Sequence, residues 1–591
     1  MLQNNSAACT SLQQLQTDKT SLKTLISLTF ITMLSCSTAQ DHNSVDLTEK
    51  YANGSGILLN PVKDQQLKDL VLLGKVWGFL KYYHPEVAKG TFNWDYELFQ
   101  ILSAFQETQQ KDHNALLIAW LDKLGEVTNC ATCRELDPEA YLHPDHSWIN
   151  ELDNEVSKRL QVILKSEPPS THHYVSFPSR GGNPNLTNEL SYEHMPYPDE
   201  GYRLLSLFRY WNIIEYFSPY KYLTHKNWDD VLEEYITVFL GAKDELAYEL
   251  SIMKFMTEIG DSHGWTIEGD ERYVEWLGRY VPPIHVRFVE GQLVVTDFYK
   301  DEFKATIDLS LGTVITHING RLVADIVKEK MPYYPASNKG ALMRDMAPDM
   351  LKSNDKEITL TIKEDSGNSR KLKLQLFEKG KFKRYGSYPP VEGPSYRWLE
   401  DSIGYVTLQN ITEDDVWELR KTFKEAKGII VDIRNYPSTY VGFDLGAFFI
   451  KKTRTFSKFT SGSVSIPGQF TFTDPTKLYY TTQPYKKGKV VVLVNEFTQS
   501  MAEYTTMAFK AGHNTTIMGN NTAGADGNVS KFFLPGGVKL LYSGIGVYYP
   551  DGTPTQRIGI VPDIVVRPTI QGIREGRDEE LEAAIQFLQK E

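Results

Sequence analysis

Two stretches of this chain are copies of one unit, and that repetition limits the fold more than any other feature. From Leu73 to Gly125 the sequence reads LGKVWGFLKYYHP, then FNWDYELF, then WLDKLGEV; from Leu207 to Gly260 it reads LFRYWNIIEYFSP, then KNWDDVLE, then FMTEIG. Trp77 and Trp211, Pro85 and Pro219, and Trp94 and Trp228 keep the same internal spacing. Apolar residues recur at helical period on either side of a loop ending in Asn-Trp-Asp, so each copy is expected to be a small helical bundle with its aromatics inside. The copies differ where they end. The first runs into Glu126-Val127-Thr128-Asn129-Cys130, the second into Asp261-Ser262-His263-Gly264, and only the second offers a histidine in a loop between elements.

The rest divides by pattern. Leu22 to Leu34 is a short apolar run with Lys19 and Lys23 at its start and SCSTAQ behind it, a secretory signal over 1–39 with cleavage after Ala39. It is shorter than the ~20 residues a spanning helix needs. Cys36 sits in an imperfect lipobox, which leaves a lipid anchor open. Residues 40–65 are polar and read as a flexible mature N-terminus, 66–165 as helical copy 1, 166–200 as a linker rich in Pro, Ser, Asn and Gly, and 201–278 as helical copy 2. Over 279–385 short strands about ten residues apart (PPIHVRF, GQLVVTDF, GTVITHINGR, EITLTI, KLKLQLF) surround a helical piece at Val323 to Lys330, a β-rich module. Residues 386–591 alternate strand and helix, as in an α/β layer with largely parallel strands whose carboxyl ends collect ligands.

Within that last region Val490 to Phe509, VVVLVNEFTQSMAEYTTMAF, passes from a buried strand into a helix and leaves Ser500 at the junction. A serine there either caps the helix or presents its hydroxyl beside unpaired N–H groups that can hold an oxyanion. Asp432-Ile433-Arg434 ends another strand, with Asp432 and Arg434 read as a structural ion pair, and Gly559-Ile560-Val561-Pro562-Asp563 opens a final strand, Gly559 to Val566. Glu503, in the first helical turn after Ser500, reads as a structural carboxylate rather than a general base.

The formal net charge of −12 excludes nucleic acid as the main partner, because phosphate binding wants a basic surface. In an exported chain Cys130 and Cys133 are expected to pair, or, with His143 and His146, to form a zinc site.

The phrase Leu311-Gly312-Thr313-Val314-Ile315-Thr316-His317-Ile318-Asn319-Gly320 resembles a PDZ domain, which would bind an extended peptide by strand addition. Ser500-Met501-Ala502-Glu503, Asp432-Ile433-Arg434 and Gly559-Ile560-Val561-Pro562-Asp563, in that architecture, resemble the tail-specific, or C-terminal-processing, serine peptidases over about residues 200–591. The fold so implied is α+β and multidomain: duplicated helical bundles, a PDZ-like module and a crotonase/ClpP-like α/β catalytic domain. One branch of that family activates its serine with a lysine, but Ala525 stands where that lysine would be, and Lys531 reads as a surface residue. The other, tricorn-core-like branch uses a histidine preceded by a serine, which Ser262-His263 matches. The resemblance then implies Ser500 as nucleophile, His263 as base and acid, Ser262 and the residue at the family's glutamate position, here Gln556, orienting the ring, and the N–H groups of Met501 and Ser438 as oxyanion donors. An amide at Gln556 supplies no negative charge for an imidazolium. Tyr436-Pro437-Ser438-Thr439 replaces the glycine-rich strand end of the family. The expected protein is an exported peptidase of a Gram-negative periplasm or outer membrane that acts on peptides or proteins, needs no cofactor and no catalytic metal, and would hold any metal at Cys130/Cys133 in a structural role. The competing reading is an inactive relative that binds peptides or apolar ligands.

Overall fold

Val490, Val492 and Val494 turn to one side of their strand and Val491 and Leu493 to the other, and both sides are buried in separate apolar clusters. A strand with period-2 side chains and no wet face belongs inside a parallel sheet covered by helices. The computed structural model, which describes residues 47–590 apart from residues 60, 131, 179–181, 265–270 and 365–366, has that arrangement. Signal residues 1–39 and Cys36 lie outside the described residues.

The helical region comes first. Copy 1 contributes α1 (Asp64–Tyr83), α2 (Trp94–Glu107) and α3 (His113–Lys123), followed by α4 (Asn154–Leu164); copy 2 contributes α5 (Glu200–Phe217), α6 (Trp228–Leu240) and α7 (Glu245–Ile259). The repeat extends to single hydrogen bonds. Trp77 Nε1 donates to Trp94 O and Trp94 Nε1 to Trp77 O, both at 3.0 Å. Trp211 and Trp228 exchange the same pair at 2.7 and 3.2 Å. Asn93 and Asn227 cap the two second helices. The copies are not two bundles, however: they bury one continuous core. Gly78 of α1 makes this possible, because a Cβ there would lie 1.8 Å from Asn212 Oδ1 of α5.

Two connecting segments depart from expectation. Tyr51, Ile57 and Leu59 of the N-terminal stretch are buried in the helical core, and Tyr202 OH donates to Tyr51 O at 2.8 Å, so residues 47–59 are not a free tail. The 166–200 segment carries a two-residue-per-strand hairpin, Val175–Ser176 with Asn185–Leu186, and buries Tyr174 and Glu189. Its turn-forming composition reflects tight bends in a packed segment. Cys130 and Cys133 form a disulfide, and the His146 ring packs on Phe79 and Tyr83, so these residues do not assemble a zinc site.

The β-rich module is an antiparallel sheet in the order β1 (Ile284–Val289), β2 (Gln292–Phe298), β3 (Val314–Ile318), β4 (Glu357–Lys363), β5 (Ser369–Gln375), with the short strand Arg321–Leu322 added to β3. It carries α8 (Val323–Lys330) and α9 (Lys339–Met346).

The C-terminal layer is a six-stranded sheet: β6 (Tyr396–Trp398), β7 (Ile403–Thr407), β8 (Gly428–Asp432), β9 (Lys489–Val494), β10 (Thr515–Gly519), and at its far edge Ile564–Val565. β7 to β10 and the edge strand run parallel; β6 is antiparallel. Helices α10 (Glu413–Thr422), α11 (Gly442–Phe449) and α12 (Met501–Lys510) pack on one face and α13 (Glu579–Gln589) on the other. The final strand shrinks to two residues because Gly559 sits at φ 73° and Pro562 has no N–H to give a ladder. A hairpin, β11 (Val529–Leu534) with β12 (Val538–Ser543), leaves this layer and buries Phe532, Leu534, Leu540 and Tyr542 in the helical core. Among the described residues no helix is long and apolar enough to cross a membrane, and no group of three metal-capable side chains converges.

Candidate active site

Ser500 lies six residues beyond the carboxyl end of β9, as the residue before α12, with φ 57° and ψ −122°. Such backbone is rare for a side chain larger than glycine and persists only where its surroundings impose it. Here they do. Ser500 N donates to Ala525 O at 2.8 Å and to Glu503 Oε2 at 3.2 Å, and Ser500 O accepts from Tyr504 N at 3.0 Å. Glu503 is wholly buried and accepts also from Gly524 N at 2.8 Å, Ala525 N at 3.0 Å and the Thr522 hydroxyl. Burial lifts its carboxyl above the usual range, and those donors pull it back. It clamps the loop 522–525 to the elbow, the structural part expected of it. Ala525 is buried at that clamp, and Lys531 is exposed on β11.

The Ser500 hydroxyl donates to Gly527 O at 3.5 Å; no hydrogen bond joins it to the His263 ring. Met501 N–H, between amides bonded to Ala525 O (Ser500) and Gln499 O (Ala502), opens a ten-residue helix and has no protein acceptor among the described residues. Ser438 differs. Its N–H donates to Leu408 O at 3.0 Å and its hydroxyl to Ile411 O, so the amide expected to face an oxyanion is already committed.

The loop after α7 meets the elbow directly: Gln499 Nε2 donates to Ser262 O at 3.3 Å, joining the residue before Ser500 to the residue before His263. The loop's course is set by Gly260 at φ 62°, where a Cβ would fall 2.4 Å from Arg557 Nη2. That guanidinium donates to Ile259 O at 2.7 Å, a cation on a helix C-terminus.

Ser262 and Gln556 take other partners than the sequence implied. Ser262 N donates to Ser337 Oγ and Ser337 N to Ser262 Oγ, both at 2.9 Å, which fastens the loop to the β-rich module. Gln556 Nε2 donates to Asp261 Oδ1 at 3.2 Å instead of reaching Ser262. The ring of His263 is met by Ser543, from the end of β12: Nδ1 to Oγ is 2.9 Å. Ser543 Oγ donates to Asp261 Oδ1 at 2.9 Å and Ser543 N to Asp261 Oδ2 at 2.6 Å. Burial pushes the imidazole below its ordinary value, the Asp261 carboxylate lifts it, and Arg344 lowers it. Asp261 stands in the phrase that drew attention to His263, and its neighbour's match to a family pattern obscured it. Ser543 had no local signal, because only the folded hairpin brings it to the loop.

Asp432 and Arg434 form the expected ion pair at 2.7 Å, extended by Asp578 and Glu580 of the C-terminal helix region, each 2.7 Å from Arg434 Nη1. Asn338, the cap of α9, donates to Thr522 O at 2.9 Å and Ala523 O at 3.0 Å. A groove of about 1580 Å³ runs between the β-rich module and the C-terminal layer, lined in part by Val286, Val323, Asn338, Phe497 and Arg557.

A serine on a strained turn between a buried parallel strand and a helix is the arrangement by which α/β hydrolases expose a serine hydroxyl. Residues 402–566, the segment that carries Ser500, match the model of peptidase family S41. The fold is similar to that of a point mutant of CPAF (14% identity, TM-score 0.51, 66% of this chain and 98% of that one) and of mature CPAF complexed with lactacystin (13%, 0.50, 66% and 99%). The photosystem II D1 C-terminal processing protease aligns at 16% identity and TM-score 0.36 over 64% of this chain and 98% of that one. No curated protein matches the chain.

Proposed function

We propose that the chain is an exported serine peptidase that cleaves polypeptides, near their C-termini, through an acyl-enzyme on Ser500 with His263 as base and acid. The observation that carries this reading is the Gln499 to Ser262 bond, which ties the strained serine turn to the histidine loop. In this mechanism the Ser500 hydroxyl gives up its long contact with Gly527 O and passes its proton to the imidazole, whose lowered proton affinity keeps it neutral and able to take that proton. Met501 N–H, at the positive end of α12, receives the oxyanion. His263 then returns the proton to the leaving amine, and water repeats the cycle on the ester. Ser262 acts through the loop it fastens, and Gln556 through Asp261. The N-terminal signal, with Cys36 inside it, supports a periplasmic or outer-membrane location.

A fluorophosphonate probe applied to the intact chain is expected to label it, and labelling should vanish in Ser500→Ala and His263→Ala. Peptides with free C-termini should be cut faster than their amidated forms. A folded chain that takes no label would overturn the mechanism in favour of a binding protein; the committed Ser438 amide is the feature that such a reading would build on.

A further inference from the structure

The four donors gathered on Asp261 set the direction of every proton near His263. Asp261 accepts from His263 N at 3.0 Å, Gln556 Nε2 at 3.2 Å, Ser543 N at 2.6 Å and Ser543 Oγ at 2.9 Å. A carboxylate has no proton to give, so the single hydroxyl proton of Ser543 points to Asp261. The Ser543 oxygen therefore meets His263 with lone pairs, and Nδ1, 2.9 Å away, must carry the hydrogen. In a neutral imidazole that leaves the free pair on Nε2, the nitrogen a base needs. The direct Nδ1 to Asp261 Oδ1 distance, 3.9 Å, is too long for a hydrogen bond, so the hydroxyl is the link.

We infer that Asp261, acting through the hydroxyl of Ser543, is the group that orients and polarises His263, and that in this chain the negative charge of the site resides on residue 261 instead of residue 556. Both are positioning residues, since neither touches the reacting atoms. The inference rests on the proposed Ser500/His263 chemistry and adds the source of its charge. It also explains why an amide suits position 556: Gln556 gives Asp261 a donor, where a glutamate would set a second carboxylate against Oδ1. The charged groups around the ring are Asp261 on its own loop and Arg344 on α9, with Arg557 reaching the loop from the segment after β12. Ser543 is delivered by a hairpin whose other side chains are locked in the helical core, so its hydroxyl is fixed by a distant part of the fold.

Four variants and one spectrum test this. Asp261→Asn should lower kcat by about 100-fold with KM within about twofold, and should move the acid limb of kcat/KM to lower pH, because the charge that favoured the protonated ring is gone. Ser543→Ala should lower kcat similarly while Ser543→Thr, which keeps the hydroxyl, retains most of it. Gln556→Glu should reduce activity at neutral pH. In Ser500→Ala protein labelled with nitrogen-15 histidine, the His263 signal, assigned by its loss in His263→Gln, should show the Nδ1–H tautomer. An Nε2–H tautomer, an unmoved acid limb in Asp261→Asn, or a gain of activity in Gln556→Glu would overturn the inference. The spectrum needs no turnover, so it decides the relay even if the wild-type chain hydrolyses nothing, a result that would count against the peptidase reading alone. Should Asp261→Asn unfold, Ser543→Ala and the spectrum still decide.

Discussion

Ser500 holds a backbone conformation that costs on the order of 1–3 kcal/mol for a residue with a Cβ. The cost is met locally, by the amide bonds to Ala525 O and Glu503 and by Glu503's hold on the loop from Thr522 to Ala525. Replacing Ser500 by glycine removes the Cβ strain and leaves these bonds intact. Ser500→Gly is therefore expected to be inactive yet to melt higher than Ser500→Ala, by the equivalent of about 1 kcal/mol, in thermal unfolding. Equal melting temperatures would mean that the turn is not strained. Glu503 carries the opposite expectation. A glutamine there turns an NH₂ toward at least one of the backbone donors it now accepts from, so Glu503→Gln should lose about 2–4 kcal/mol of stability and most fluorophosphonate labelling together. Loss of labelling with stability unchanged would assign Glu503 a chemical part instead.

At the scale of elements, the duplication was legible because it is written in residues of rigid spacing: each tryptophan pair is 17 residues apart and closes with the same two bonds. The strand-to-helix turn was legible for a like reason, an unbroken valine run followed by helix formers. What the sequence hid were contacts between segments far apart, such as Ser543 to Asp261 and Ser337 to Ser262, since periodicity reports only which face of an element is apolar. The single core of the two copies was hidden too, resting on one close approach at Gly78. Buried histidines give the first copy and the connector behind it their own signature. Burial holds His84, after α1, His146, before α4, and His172, in the connector, each down to about 4 from 6.5. The unfolded chain takes up these protons near pH 6.5 and the folded chain only near pH 4, so the unfolded state binds more protons in that window. Stability should therefore be level in these groups above about pH 7 and fall as pH drops from 6.5 toward 4. Thermal unfolding across that range checks it. His84→Leu, which removes two buried ring nitrogens without partners among the described residues, should flatten the fall; no slope in the wild type would refute the account.

For the molecule as a whole, the helical region is the support of the site as well as the source of its histidine. Lys81 of copy 1 is paired with Glu189 of the connector at 2.7 Å, Glu189 with Arg209 of copy 2 at 2.8 Å, and Arg209 with Asp95 of copy 1 at 2.8 Å. The two cations and two anions are all buried, and Arg209 Nη1 also donates to Phe533 O of β11 at 2.7 Å. A buried network of this kind adds little over apolar packing while whole, but removing one member strands the others. Glu189→Ala leaves Lys81 uncompensated and should cost about 3–5 kcal/mol. Because Arg209 holds the hairpin backbone, the damage should reach β12 and so the Ser543 to His263 bond. Hydrogen exchange should accelerate at the amides of β11 and β12 beyond the change expected from global stability, and labelling of Ser500 should slow even at temperatures where the variant is folded. If Glu189→Ala melts early yet protects those amides and labels at the wild-type rate, the network serves the helices alone, and the hairpin owes its position to Phe532, Leu534, Leu540 and Tyr542.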